Sequence, residues 1–197
     1  MQTFYKNQLT GIVLAGGRSA RMQSDKAVLD FGYGPAVLHL LRQLEPHCSR
    51  LLVVSSRHHC DSFPLATVVP DFVSDCGPLM GIASGLSATD TELNFVIGCD
   101  IPDVNINAFH LLCAAMEDAD AAVLSVRENT VEPLYAVYRK SLYAKAMTLL
   151  ESGMRRADSL LSVCKYKIVE CTDTGWYANV NTPEDLAKYR LQRGVCR

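Results

Sequence analysis

The sequence alternates short apolar runs with segments whose apolar residues recur at helical spacing, and this alternation limits the possible folds severely. The first run, Gly11 to Ala15, is too short for a helix and is followed by a glycine pair. The segment from Ala36 to Leu44 carries its apolar side chains on one helix face, and Pro35 precedes it. Strands that are apolar on both faces are typical of parallel sheets covered by helices. The pattern therefore predicts an α/β fold.

The same criteria predict further elements along the rest of the chain. Predicted strands cover 51–54, 67–69, 94–97, 121–126 and 134–138, and predicted helices cover 79–86, 107–116 and 142–150. A last helix begins at Pro183, after Thr182 as its cap and with acidic residues in its first turn. We expect a three-layer, Rossmann-like, mostly parallel sheet with helices on both faces. Ligands of such sheets bind beyond the carboxyl ends of the strands.

Composition narrows the class of protein further. The chain has 197 residues, a net charge of −2 and 49% hydrophobic residues, which suits a single domain spanning 1–197 and excludes a disordered tail. The balanced charge gives no basic surface for nucleic acid, and no apolar run is long enough to span a membrane. Eight cysteines at irregular spacing, with no secretory signal, predict reduced thiols in a cytoplasmic protein.

A glycine pair with nearby cations follows the first predicted strand. Gly16 and Gly17 can expose backbone amides to a ligand, and Arg18, Arg21 and Lys26 place three positive charges within nine residues. From the residues alone, this segment is either a phosphate-binding loop or a surface loop with solvated charges. It is neither a Walker loop nor a dinucleotide fingerprint, because the required serine or threonine after the lysine and the third spaced glycine are missing.

Two aspartates end predicted strands on the same side of the sheet. Asp100 follows a buried run and precedes Ile101-Pro102, so it is either a ligand for Mg²⁺ or a helix-capping residue. Asp71 follows Pro70 and is either a hydrogen-bond acceptor for a nucleotide base or ribose, or a turn residue. The residue types leave both pairs of alternatives open.

The segment from Leu14 to Lys26 resembles the signature of the molybdenum cofactor nucleotidyltransferases, a branch of the nucleoside-triphosphate transferase fold. Its Leu-Ala-Gly-Gly, Arg-Met and Asp-Lys positions match, and Gln23 replaces the usual glycine. Cys99-Asp100-Ile101-Pro102 is similar to the family's metal-binding motif, and Asp71 precedes a similar Gly-Pro-Leu run. The segment from Tyr177 to Leu186 resembles the family's closing Asn-x-Asn-Thr-Pro-Glu-Asp-Leu motif. The resemblance extends from Leu9 to Leu186.

The resemblance implies a nucleotidyltransferase-type fold and roles for individual residues. The catalytic residues would be Lys26, Asp100 and Arg21, with Asp100 also holding Mg²⁺. The family usually has asparagine after the second strand, where this chain offers Ser55 or Ser56. Nucleotide-binding residues would be Leu14, Ala15, Gly16, Gly17, Lys26, Ser55, Asp71 and Asp100. The acceptor-binding residues would be Arg156, Asn179 and Asn181, with Arg155 beside them.

The resemblance also implies an activity. A molybdenum cofactor guanylyltransferase transfers GMP from GTP to molybdopterin, with or without molybdenum, and releases pyrophosphate. The nucleotide would bind to about residues 9–105 and the acceptor to about 106–197, and other cofactor biosynthesis or insertion proteins are candidate partners. Three alternatives stay open: transfer from CTP to the same pterin, transfer to a sugar 1-phosphate, and a nucleotide-binding module without catalysis.

Overall fold

Helices and strands alternate along nearly the whole chain of this computed structural model, which describes residues 8–15, 29–55, 63–73, 76–127 and 130–195. In chain order the elements are β1 (Leu9–Leu14), α1 (Ala36–Leu44), β2 (Arg50–Ser55), β3 (Thr67–Pro70), α2 (Pro78–Ala88), β4 (Leu93–Gly98), α3 (Ile106–Ala114), β5 (Ala121–Arg127), β6 (Thr130–Arg139), α4 (Leu142–Glu151), a 3₁₀ segment (Ala157–Val163), β7 (Tyr166–Glu170) and α5 (Pro183–Gln192).

The strands form one sheet in the order β3-β2-β1-β4-β6-β5-β7. Neighbours pair in parallel except at β6, which runs antiparallel to both β4 and β5. The register pairs Leu9 with Leu93 and Ile97 with Tyr135. Because β6 is reversed, its first residues lie at the edge where the parallel strands β1 to β4 end. The prediction of a mostly parallel sheet is confirmed, with this one reversed strand.

Apolar side chains of the central strands point alternately into two separate cores. Val13 and Phe95 belong to a core that includes residues of α1 and α3, whereas Ile12 and Val96 belong to one that includes residues of α2 and α4. This alternation follows from the period of two in a strand, which sends neighbouring residues to opposite faces. The predicted three layers, with helices on both faces of the sheet, are therefore present.

A third, smaller core joins the C-terminal helix to the chain between β1 and α1. Phe31 and Ala36 pack with Val180 and Tyr189 in this cluster, and all four are at most 2% exposed. The rings of Phe31 and Tyr189 meet edge to face at 5.6 Å. This cluster anchors the residues that directly follow the glycine-rich segment.

Every strand and helix predicted from the sequence is present, with ends shifted by a few residues. The sequence pattern missed β7 and the 3₁₀ segment. In β7, Tyr-Lys-Ile-Val-Glu forms neither a continuous apolar run nor a strict alternation of apolar and polar residues, and none of its residues is fully buried. Within the described ranges, no helix is long and apolar enough to cross a membrane. The six cysteines described there are free thiols, and Cys48, Cys99 and Cys113 are buried.

Candidate active site

The carboxyl ends of β1 to β4 bring several predicted nucleotide-binding residues to one edge of the sheet. The amide of Ala15 donates to the carbonyl of Val54 at 2.8 Å, and the amide of Asp71 donates to the carbonyl of Ser55 at 3.3 Å. On the other side of β1, the amide of Cys99 donates to the carbonyl of Leu14 at 3.1 Å. Backbone hydrogen bonds therefore join the ends of neighbouring strands at Leu14, Ala15, Ser55 and Asp71, and at Cys99 directly before Asp100.

The glycine pair and its cations lie outside the described residues. This applies to Gly16, Gly17, Arg18, Arg21 and Lys26, and also to Ser56. The structure describes the residues on both sides of that segment.

On one flank, Ala15 is buried at the end of β1. On the other, Asp30 Oδ1 accepts hydrogen bonds from the amides of Gly32 (2.6 Å) and Gly34 (3.0 Å). The described residues on the two sides of this segment are thus the end of β1 and a turn held by Asp30.

Asp71 is tied to helix α2 by one buried serine. Ser84 is fully buried on an otherwise apolar helix face, and its Oγ accepts a hydrogen bond from the amide of Phe72 at 3.2 Å. Burial raises the pKa of Asp71, and a hydrogen bond from the Ser84 side chain partly opposes that rise. Asp71 Oδ1 is buried and has no hydrogen-bond partner within the part of the chain that the structure describes. The site therefore holds a carboxylate oxygen with acceptor capacity left over.

Ser84 is a site residue that the sequence pattern did not single out. The available signal was a hydroxyl residue within the apolar stretch of α2, between Gly81 and Gly85. A single buried hydroxyl of this kind needs a partner, and here the partner is the segment that carries Asp71.

Asp100 lies just beyond β4 and is held by its backbone. Its carbonyl accepts a hydrogen bond from the amide of Val180 at 2.8 Å. Its side chain folds back over the preceding glycine, since a Cβ atom on Gly98 would lie only 2.6 Å from Asp100 Oδ1. Val180 belongs to the segment that carries Asn179 and Asn181, so this segment passes directly beside Asp100.

The donor set at this edge fits a cation shared with a nucleotide better than a cation held by protein alone. Among the described residues, no group of three or more His, Cys, Asp or Glu side chains could enclose a metal ion. Cations bound with nucleotide phosphates often use only one or two carboxylates, the other ligands being phosphate oxygens and water. Asp100, half-buried at the end of a strand, suits that arrangement.

A group of polar side chains surrounds the segment beside Asp100. Tyr177 donates its hydroxyl hydrogen to Glu132 Oε2 at 2.5 Å, and Asn181 Nδ2 donates to Asn179 Oδ1 at 2.5 Å. Burial and the neighbouring carboxylates of Glu132 and Asp100 raise the pKa of Tyr177. The two asparagines thus lie on the same side of an extended segment, as their spacing predicts.

Arg155 and Arg156 have partners of their own. Arg155 Nη1 donates to the carbonyls of Leu150 (2.7 Å) and Met154 (2.9 Å), where it caps α4. Arg156 is exposed and forms a two-pronged ion pair with Asp158, which lowers the pKa of that carboxyl. The carbonyl oxygen of Arg155 also accepts a hydrogen bond from the amide of Leu79, so the two arginines lie beside the start of α2.

Solved structures of other proteins share this fold. One is molybdopterin-guanine dinucleotide biosynthesis protein A from Archaeoglobus fulgidus, with a TM-score of 0.81 and 19% identity over 95% of this chain and 100% of that one. Another is 4-diphosphocytidyl-2C-methyl-D-erythritol synthase from Anaerococcus prevotii, with a TM-score of 0.74 and 14% identity over 95% of this chain and 96% of that one. The fold is that of the nucleotidyltransferases.

Sequence comparison identifies the family within that class. A protein called molybdenum cofactor guanylyltransferase in Vibrio parahaemolyticus is 30% identical over 92% of this chain and 95% of its own length. A probable molybdenum cofactor guanylyltransferase from Peptoclostridium acidaminophilum is 32% identical over 91% of this chain and 87% of its own. The family model for the MobA-like NTP transferase domain matches residues 11–167. The chain belongs to this family and is a nucleotidyltransferase.

Proposed function

We propose that this enzyme transfers GMP from GTP to the terminal phosphate of molybdopterin and so forms a guanine dinucleotide cofactor. Relatives that are about 30% identical over most of the chain carry the name molybdenum cofactor guanylyltransferase, which supports guanine as the base. The observation that carries the proposal is the hydrogen bond from Val180 to Asp100, because it joins the candidate acceptor residues to the candidate metal ligand. We propose that the enzyme works in the cytoplasm.

The proposed reaction is a displacement at the α-phosphorus of GTP. A terminal phosphate oxygen of molybdopterin forms a new bond to that phosphorus while the bond to the β-phosphate oxygen breaks, and pyrophosphate leaves. The attacking phosphate is already ionised near neutral pH, so no general base is needed. Catalysis then depends on holding the two substrates in line and on neutralising charge.

The residues divide these tasks between them. Lys26 and Arg21 compensate the phosphate charges, and the amides of Gly16 and Gly17 contact the phosphate oxygens. Asp71, with Leu14, Ala15 and Ser55 at the same edge of the sheet, contributes to nucleotide binding. Asn179, Asn181 and Arg156 bind the acceptor, which divides one domain into a nucleotide half (about 9–105) and an acceptor half (about 106–197).

Asp100 is the residue that would hold a divalent cation, which we propose to be Mg²⁺. When bound, this ion supplies positive charge to the triphosphate. The backbone hydrogen bond from Val180 and the absence of a Cβ atom on Gly98 keep the Asp100 carboxylate in place. Nε and Nη2 of Arg156 pair with Asp158 in the structure.

The experiment is a pyrophosphate-release assay with molybdopterin and either GTP or CTP. We expect release with GTP, and we expect Lys26→Ala and Asp100→Asn each to lower kcat/KM by about 100-fold or more, as when a group that stabilises transition-state charge is removed. Matched controls are Asp90→Asn and Lys140→Ala, since Asp90 pairs with Arg50 and both positions flank the strand ends opposite the site. These two variants should keep the wild-type rate.

Each alternative activity gives a different result in this assay. Faster release with CTP would identify a cytidylyltransferase, and release only with a sugar 1-phosphate would identify a different acceptor. GTP binding without pyrophosphate release would indicate a binding module. Near-normal GMP transfer by both Lys26→Ala and Asp100→Asn would contradict the proposed site.

A further inference from the structure

The five residues after Asp100 form neither a helix nor a strand. They lie between β4 and α3, so their backbone groups need partners outside the regular hydrogen bonds of helices and sheets. The amide of Ile101 donates to the carbonyl of Gly98 at 3.1 Å. At the other end, the amide of Asn105 donates to the hydroxyl oxygen of Tyr135 at 3.0 Å. The middle of this segment is held by side-chain contacts with α1 and with the end of α5.

Gln43 of α1 holds the segment at two points. Its Nε2 atom donates to the carbonyl of Pro102 at 3.1 Å, and its Oε1 atom accepts from the amide of Val104 at 2.9 Å. The same NH₂ group also reaches the carbonyl of His39 within α1 at 3.4 Å. Because the oxygen and the nitrogen of one amide are both engaged, Gln43 fixes the backbone on either side of Asp103.

Asp103 ties the same segment to the C-terminal helix. Its Oδ1 atom accepts from the hydroxyl of Tyr189 at 3.0 Å, and its Oδ2 atom accepts from Nη2 of Arg193 at 2.5 Å. Burial and the Asp103 carboxylate raise the pKa of Tyr189, so its hydroxyl keeps its hydrogen at neutral pH. Tyr189 itself packs on Phe31 in the third core. Both oxygens of the Asp103 carboxylate are therefore engaged in contacts at the end of α5.

These contacts lie within four residues of the candidate metal ligand. The carbonyl of Asp100 accepts from the amide of Val180 at 2.8 Å, and the carbonyl of Pro102, two residues further on, is held by Gln43. Mg²⁺ requires nearly ideal octahedral coordination, so a displaced carboxylate binds it less well. The position of the Asp100 carboxylate thus depends on how firmly the following residues are held.

Resting on the proposed function, we propose that Gln43 and Asp103 are positioning residues that hold the Asp100 carboxylate in place for the divalent cation. Gln43 acts from α1 on the backbone, and Asp103 acts through its contacts with α5. Neither side chain coordinates the cation, because the polar atoms of both are engaged with protein groups. In this way the C-terminal helix contributes to metal binding from a distance.

The test uses two substitutions that leave the net charge unchanged. Gln43→Met keeps the length of the side chain but removes its hydrogen bonds, and Tyr189→Phe removes only the hydroxyl that donates to Asp103. The dissociation constant of GTP is measured by equilibrium dialysis in Mg²⁺ and again in EDTA. In Mg²⁺ we expect it to rise about tenfold for Gln43→Met, and about threefold for Tyr189→Phe because Arg193 still holds Asp103. In EDTA it should stay within about twofold of the wild type, because no cation is then bound.

A double variant separates positioning of Asp100 from an independent effect. If Gln43 acts through Asp100, Gln43→Met causes no further loss of GTP binding in Mg²⁺ once Asp100→Asn is present. Gln192→Met and Tyr166→Phe are matched controls, because both residues are exposed, the first on α5 and the second on β7. These controls should leave both dissociation constants unchanged.

Three results would overturn the inference: wild-type GTP binding in Mg²⁺ by Gln43→Met or Tyr189→Phe, equal losses in Mg²⁺ and in EDTA, or a further loss in the double variant. Equal losses would indicate a purely structural role. A separate result, in which Asp100→Asn binds GTP in Mg²⁺ as tightly as the wild type, would refute the metal site of the proposed function. The single Asp100→Asn variant therefore distinguishes failure of the proposed function from failure of this inference.

Discussion

Residue 98 is a glycine in a place where any larger residue would meet the carboxylate of Asp100. Asp100 Oδ1 occupies the space that a Cβ atom on residue 98 would need. That Cβ atom would also lie 3.5 Å from the side chain of Leu134 on the neighbouring strand β6. The sequence indicated that Asp100 ends a buried strand, but not that its side chain folds back over residue 98. Such a contact depends on side-chain rotamers and on the neighbouring strand β6, which a single sequence does not specify.

Gly98→Ala tests whether this placement matters for the metal. The backbone of β4 is extended, so alanine is tolerated there, and the terminal carboxylate of Asp100 is the group that moves. We expect the Mg²⁺ concentration for half-maximal GMP transfer to rise about tenfold or more, with the fold intact. Metal titrations of the transfer rate measure this effect.

Gly175→Ala is the matched control, because its Cβ would meet nothing closer than 3.6 Å. An unchanged Mg²⁺ requirement in Gly98→Ala would refute a role for Asp100 in metal binding.

The helices differ in how clearly the sequence predicts their first residues. Thr182 caps α5 through a complete capping box, in which its Oγ1 accepts from the amide of Asp185 and the Asp185 carboxylate accepts from the amide of Thr182. This start was predictable, because the Thr-Pro-Glu-Asp sequence contains the whole interaction. By contrast, Ser141 precedes α4 without a side-chain cap hydrogen bond. β7 was not predictable, since its pairing with β5 depends on distant residues.

Removing the cap residue of α5 should lower the free energy of unfolding more than the matching substitution before α4 does. Thr182→Ala loses a side-chain acceptor for a helix amide, and we expect the free energy of unfolding to fall by about 1 kcal/mol. Ser141→Ala should change it by less than about 0.5 kcal/mol. Urea denaturation of the two variants compares them directly, and equal losses would contradict this assignment of the caps.

The stability of the whole molecule should depend on pH near neutrality through the half-buried side chain of His39. Burial lowers the pKa of His39 below its ordinary value of 6.5; the nearby Asp103 carboxylate opposes this shift, and Arg42 adds to it. His39 also stacks on Tyr33 at 4.9 Å. Below pH 6.5 the unfolded chain takes up a proton at this position more readily than the folded protein does. The folded state therefore loses stability as the pH falls.

We expect the wild type to lose more stability between about pH 7 and about pH 5.5 than His39→Gln does. Aspartates with lowered pKa values, such as Asp120 and Asp185, contribute little in this range, because they titrate in more acidic solution. Denaturant unfolding of both proteins at the two pH values measures the difference. Equal losses of stability in the wild type and in His39→Gln would contradict the assignment of this pH dependence to His39.

The third core also determines the order in which parts of this protein can fold during synthesis. Residues that follow the glycine-rich segment pack against a helix made far later, and Arg190 donates a hydrogen bond to the carbonyl of Asp30 across 160 positions. The sheet from β1 to β4 can pair once about half the chain has emerged, whereas residues 29–36 must wait for residues 180–195. Such distant contacts form slowly, because a long loop must close first. The edge of the sheet at which β1 to β4 end is therefore built before residues 29–36 acquire their permanent packing.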